Sequence, residues 1–154
     1  MALETSTKRL GVLVVDTTTG MADVVEVLRD TFPCVTADIT NAAVEITIVN
    51  NLERPARLRA ASWIPETTVG AAANQLGFQI VYDDGAGGAP VALTNLYSPV
   101  AAGTTAYTRL AFVQTAAMQV ILIPAGSRIY VDVTVIAGGA AYNDTSFQAN
   151  LRYE

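Results

Sequence analysis

The sequence predicts an all-β chain, an antiparallel β-sandwich preceded by an N-terminal arm or extra strands. Three observations lead there. The C-terminal two-thirds alternates apolar and polar residues with period two, the mark of half-buried strands. Clusters of Gly, Pro, Asn and Asp separate the alternating runs and supply the φ angles that turns need. Between the runs there are no amphipathic helical stretches of the kind that parallel βαβ units require.

Taken in order, the chain opens with Lys8-Arg9 before Leu10-Gly11-Val12-Leu13-Val14-Val15, which reads as a strand or an adhesive arm. The start has the look of a signal peptide, but Asp16 ends the apolar run too early for an h-region and no small-residue cleavage site follows closely. The expectation is therefore a protein kept inside the cell until it is assembled. Asp23–Phe32 places Val24, Val27, Leu28 and Phe32 on one helical face, while its valines suit a strand equally. Residues 1–40 are assigned to an arm or accessory strands and residues 41–154 to the sandwich.

Strands are expected at Val44–Val49, Ala56–Ile64, Tyr107–Gln114 and Met118–Ile123. The last is nearly all apolar, as if covered on both faces. Leu76, Phe78, Ile80 and Tyr82 alternate against Gly77 and Gln79, and in Arg128–Val135 the odd positions are all β-branched. In the final run Phe147, Ala149, Leu151 and Tyr153 share one face, and Ser146, Gln148, Asn150 and Arg152 the other. Turns are expected at Asn50-Asn51, Asp83–Gly88, Ala102-Gly103, Pro124-Ala125-Gly126 and Gly138-Gly139, with a helical turn over 71–75.

Composition bounds the function. Of 154 residues, 51% are hydrophobic and 15% charged, so the chain has apolar surface enough to offset its ordering entropy. The excess points to patches buried against partners or in an oligomer. A net charge of −5 with nine cations argues against nucleic acid, which needs clustered positive charge. No apolar run approaches the length of a membrane-spanning helix. The single cysteine, Cys34, forms no intrachain disulfide and reads as a small buried hydrophobe.

The sequence has no histidine, which removes the usual general base, the commonest metal ligand and every Ser–His–Asp or Cys–His arrangement. One cysteine and no histidine also rule out a structural zinc site. Gly85–Gly88 lacks the Lys-Ser/Thr pair of a phosphate loop, and no pair of acids stands out for glycoside chemistry. Asp83-Asp84-Gly85 has the start of a calcium-binding turn without its later ligands, and reads as a plain hairpin turn. Asn143-Asp144-Thr145 matches the glycosylation acceptor pattern by chance. The expectation is a non-catalytic protein with no cofactor and no metal.

What remains is adhesion. The candidate interface residues are Leu10, Val12 and Val14 on the arm, Arg57 and Arg59 on one face of a strand, and Trp63 at its end. The arginines either pair with acids on a neighbour or form an ordinary solvated face. Trp63, or the loop bearing Tyr97 and Tyr107, would serve a second reading, a receptor- or carbohydrate-binding module of a tail or fibre; core or interface packing is the other role for these rings.

From Arg57 to Glu154 the succession resembles a family. A strand ends in Trp63-Ile64-Pro65, an Ala/Asn connection follows, then Gly77-Phe78-Gln79-Ile80-Val81-Tyr82 and a Gly-rich turn. A long loop leads to a Pro-Ala-Gly turn opening Ile129–Val135, and Gln148–Glu154 closes the chain. That order is similar to the jelly-roll decoration (cement) and head-fibre-base proteins of tailed bacteriophages. The resemblance implies a virion protein on the capsid surface, made in the host cytoplasm, a homotrimer bound to the major capsid protein. Another minor capsid, tail or connector component is the further alternative.

Overall fold

A computed structural model of the chain describes residues 12–15, 22–25, 30–40, 42–70, 76–98, 103–136 and 141–154. Among the described residues, eleven strands and one helical turn run in the order β1 (Val12–Val15), β2 (Ala22–Val25), β3 (Asp30–Thr31), β4 (Cys34–Ile39), β5 (Val44–Val49), β6 (Ala56–Ile64), β7 (Leu76–Asp83), β8 (Val91–Ala92), β9 (Leu110–Ala111), α1 (Ala116–Gln119), β10 (Arg128–Val135) and β11 (Tyr142–Tyr153). The expected all-β sandwich is what forms. One sheet has the order β5-β10-β7-β8, and the other β3-β11-β6-β9 with β4 also on β11, every pairing antiparallel. From β4 onward nearly every connection carries the chain from one sheet to the other, so the two inner faces are built together.

Period-two alternation sets the inner faces. On β10, Ile129, Val131 and Val133 point inward, in register with Tyr82, Ile80 and Phe78 of β7. On β11 it is Phe147, Ala149 and Leu151, all at 0% exposure, as the alternation of that run predicts. Trp63 stands at the centre. Its ring lies 4.8 Å from Phe78, 5.3 Å from Tyr97, 5.7 Å from Tyr142 and 6.2 Å from Phe147, in tilted, edge-on and stacked arrangements.

The N-terminal strands divide into two groups. β1 and β2 form a two-stranded sheet, Val12 opposite Val25 and Val14 opposite Asp23. Strand thus replaces the helical alternative for the start of Asp23–Phe32. β3 and β4 join the five-stranded sheet end to end along β11, separated by Phe32-Pro33, and Ala149 N–H donates to the Pro33 carbonyl at 3.0 Å. They are accessory strands of the sandwich itself, lying before residue 40.

Two expected strands are corrected. Of Tyr107–Gln114 only Leu110–Ala111 pairs with β6, because Tyr107 adopts φ 58° and the chain then bends away after Phe112 N–H bonds the Ala61 carbonyl. Met118–Ile123 is not a covered strand. Thr115 caps α1, its Oγ1 accepting from Met118 N–H, and only Ile123 rejoins β6, bridging Ala56. Val120 and Leu122 are 66% and 45% exposed. The expected burial of Cys34 is also corrected. It falls on the outward positions of β4, whose burial alternates residue by residue, and is exposed.

Turn chemistry follows the sequence. In the β7–β8 connection, Asp83 Oδ1 and Asp84 Oδ1 accept from Gly85 and Ala86 N–H at 2.8 and 2.9 Å, while Gly85 and Gly87 take positive φ. Leu10, residues 71–75 and the Gly138-Gly139 turn lie outside the described residues.

Candidate functional site

The outward face of the five-stranded sheet can be read row by row from its register. Asn150 of β11 faces Ala60 of β6, and the next row pairs Cys34, Gln148, Ser62 and Ala111. One row further, Thr36 and Ser146 share a hydroxyl hydrogen bond of 2.9 Å. Phe32, between β3 and β4, stands at the flank of the Asn150 row and is 56% exposed. Small side chains at Ala60 and Ala111 leave a depression between the Phe32 flank and Arg109 on the other side. The result is a groove of about 350 Å³.

Arg109 is fixed across this groove. Its Nε donates to Ser62 Oγ at 2.9 Å and its Nη2 to Gln148 Oε1 at 2.6 Å. Both acceptors are neutral, so among the described residues its charge is not balanced by a bonded carboxylate. Gln148 uses only its carbonyl oxygen in that bond. Asn150 Oδ1 is buried without a partner among the described residues, so no hydrogen bond from them fixes the orientation of its amide.

A second surface runs along the free side of β6. The register between β6 and β11 shifts by one between Asn150 and Leu151, which leaves Arg59 as the extra residue of a β-bulge. Arg57, opposite Arg152, is bound in place: its Nε donates to Glu154 Oε1 at 2.9 Å, and Nη1 to the Val120 carbonyl. Arg59 is exposed. The segment that carries α1 lies beside it, tied to β6 through Gln114 Nε2 donating to the Leu58 carbonyl and through the Ala56–Ile123 bridge. That segment turns Val113, Val120 and Leu122 outward at 62%, 66% and 45% exposure.

At the far end of β6, Tyr107 is 72% exposed, its N–H bonded to the Pro65 carbonyl and its hydroxyl donating to Glu66 Oε1 at 3.1 Å. That bond and the carboxylate's charge hold the Tyr107 phenol above its usual pKa. On the outward face of the other sheet, Arg128 pairs with Glu45 at 2.7 Å and lies 4.2 Å over the Tyr130 ring. Burial is the main cause raising the Tyr130 pKa.

The candidate residues are not brought to one place. Trp63 is at 0% exposure in the core and is corrected from interface to packing residue, which also removes the aromatic platform that the carbohydrate-binding reading would have placed around it. Its ring is surrounded by chain on all sides because both inner faces converge on it. Val12 and Val14 lie on β1, away from the Arg57 and Arg59 row in the register, since β1 pairs only with β2 among the described residues. Leu10 lies outside them. Sequence reasoning passed over Arg109 and the small residues Ala60 and Ala111. The polar alternation of Gln148 and Asn150 was the one local signal for that face.

Among the described residues no group of three acids and Cys could hold a metal ion. No helix among them is long and apolar enough to cross a membrane. No protein-family model matches the chain, and no curated protein sequence matches it. Among solved structures, the chain is similar to one chain of the "Structure of infectious bursal disease virus Gx strain", with 11% sequence identity and a TM-score of 0.42. The likeness covers 93% of this chain and 37% of that one, so the chain spans little more than a third of that neighbour's length.

Proposed function

We propose that the chain is a non-catalytic structural protein of a virion, a decoration subunit that binds and stabilises an assembled phage head. It self-associates, as a cyclic trimer, and docks on the major capsid protein. The observation that carries this reading is the exposure of Val113, Val120 and Leu122 on the segment beside β6, at 62%, 66% and 45%. A monomer in water gains nothing from exposing them, whereas a partner surface gains from covering them. The Arg57–Glu154 sequence succession supports the capsid assignment, and the lack of histidine supports a role without catalysis.

The energetics suit a cement protein. A ligand that binds the assembled shell and not its dissociated parts stabilises the shell by mass action. Burying what Val120 and Leu122 now expose contributes about 1 kcal/mol each, so together about thirtyfold in affinity. Co-sedimentation with emptied heads tests the proposal. The wild type should pellet with shells at micromolar concentration, and the double variant Val120→Asp, Leu122→Asp should bind at least about thirtyfold more weakly. A wild-type chain that stays in the supernatant, or a variant that pellets equally well, refutes it.

A further inference from the structure

We propose that the groove on the outward face of the five-stranded sheet is a binding site for an acidic sugar residue of a glycan, of the uronic-acid or sialic-acid type. This goes beyond the decoration role and concerns a different surface from the α1 segment. The argument rests on what the groove offers and what it lacks.

The floor is small and the flank is aromatic. Ala60 and Ala111 leave room above the sheet, and Phe32, a residue 56% exposed, lines the groove with the kind of apolar plate against which the C–H face of a sugar ring packs. A volume of about 350 Å³ is at the small end of the range for ligand sites.

The polar groups are unspent in a matched way. Gln148 gives its oxygen to Arg109 and keeps its Nε2 donor for a ligand. The Asn150 amide is held by no hydrogen bond at Oδ1, so a half-turn about its last bond presents either oxygen or nitrogen to the groove. A site that supplies donors and an acceptor beside an apolar plate fits a ligand whose hydroxyls both donate and accept around an apolar face. Sugars have that form.

Arg109 selects the acidic kind. In a chain with 14 acids and nine basic residues, its guanidinium is bonded to two neutral oxygens and, among the described residues, to no carboxylate. Nε and Nη2 are held, and Nη1 makes no bond among the described residues. The planar group is therefore pre-positioned with donors left for a carboxylate.

Titration of the isotope-labelled full chain with sialyllactose, oligogalacturonate and lactose, followed by amide shifts, tests the proposal. At least one acidic probe should shift the amides of Ala111, Gln148 and Asn150 saturably, with lactose at least about tenfold weaker. Arg109→Gln should weaken acidic binding about tenfold or more, and Phe32→Ala should weaken it too. Ala111→Trp, which fills the groove from an exposed position, should abolish it, and it keeps the test valid where Arg109→Gln disturbs the sheet. Thermal unfolding of each variant checks the fold. Absence of saturable shifts with both acidic probes, equal binding of lactose, or binding untouched by Ala111→Trp overturns the assignment. So does self-association that Ala111→Trp abolishes and neither acidic probe competes with, because the groove is then a contact between copies of the chain.

Discussion

Replacing Trp63 with alanine is the sharpest test of the sandwich, because a surface role and a core role predict opposite outcomes. The side chain is at 0% exposure and contacts rings on both sheets. A buried Trp removes about 150–250 Å² from water, which at about 25 cal/mol/Å² gives about 4–6 kcal/mol as an upper figure. Core truncations of this size cost about 3–5 kcal/mol. Against a domain stability of about 5–15 kcal/mol, the variant should lose about a fifth or more, or fail to fold. Trp63→Phe separates packing from the indole N–H. Nε1 is buried with no hydrogen-bond partner among the described residues, so removing it relieves a desolvation cost of about 1–3 kcal/mol while leaving a smaller void. The phenylalanine variant should therefore cost under about 2 kcal/mol. Urea unfolding followed by circular dichroism measures both variants at a common slope. Trp63 is the only tryptophan, so native fluorescence should be blue-shifted and resistant to acrylamide. An alanine variant within about 1 kcal/mol of wild type, or a native tryptophan quenched like free indole, would refute the packing argument.

Three further outcomes follow from the same geometry. Burial pushes the Tyr142 phenol up to about 12 from 10.0, so below pH 10 it is neutral in both states, and above that the unfolded chain ionises first. Stability should fall between about pH 10 and 12 by up to about 2–3 kcal/mol, and Tyr142→Phe should flatten part of the decline; a flat alkaline profile contradicts it. Arg57→Ala loses a partly exposed ion pair and the tether on the Val120 carbonyl, and should cost about 1–2 kcal/mol, whereas Glu154→Gln should cost about 0.5 kcal/mol. Equal losses in urea unfolding would show that the Val120 tether contributes nothing. Cys34 is exposed on the outward face of β4, so it should alkylate in the native protein with little change in thermal midpoint. Protection until unfolding would overturn its placement.

The parts of the fold legible in the sequence are those whose information is local. In β10 from Ile129 to Val133 and in β11 from Thr145 to Leu151 each residue's face follows from its parity, and the odd positions are buried; Tyr142 breaks the rule, buried at an even position ahead of the register shift before Thr145, and Val135 is 37% exposed. The Arg59 bulge is not local, since an extra residue is defined only against the partner strand. That shift by one is also what keeps both Leu58 and Trp63 inward, although they differ by an odd number of positions. The segment from Tyr107 to Ile123 misled for a related reason. Apolar content says that a residue prefers burial, and not whether a partner strand reaches it. Here β9 pairs for two residues and leaves Val113, Val120 and Leu122 uncovered. The groove was invisible for the same cause, since Ala60, Ala111 and Gln148 become neighbours only through register. Arg109 carried no pattern of its own.

The edges of the two sheets bear on how such a domain joins others. On one side each sheet ends in a two-residue strand, β8 or β9, too short to template another chain. On the other side the edges are the six-residue β5 and, along most of β11, the six-residue β4, and among the described residues neither pairs beyond β10 or β11. The β1–β2 pair has the complementary deficit. A hairpin of two four-residue strands is marginal alone and gains most from a third strand. In the proposed assembly the β1–β2 hairpin of one subunit therefore extends the β5 or β4 edge of the next, adding backbone hydrogen bonds to the apolar contacts. Deleting residues 1–29 separates the two contributions. The truncated chain should keep the urea midpoint of its sandwich and lose its self-association; a truncated chain that still forms the same oligomer would show that the β1–β2 pair is no part of the contact between subunits.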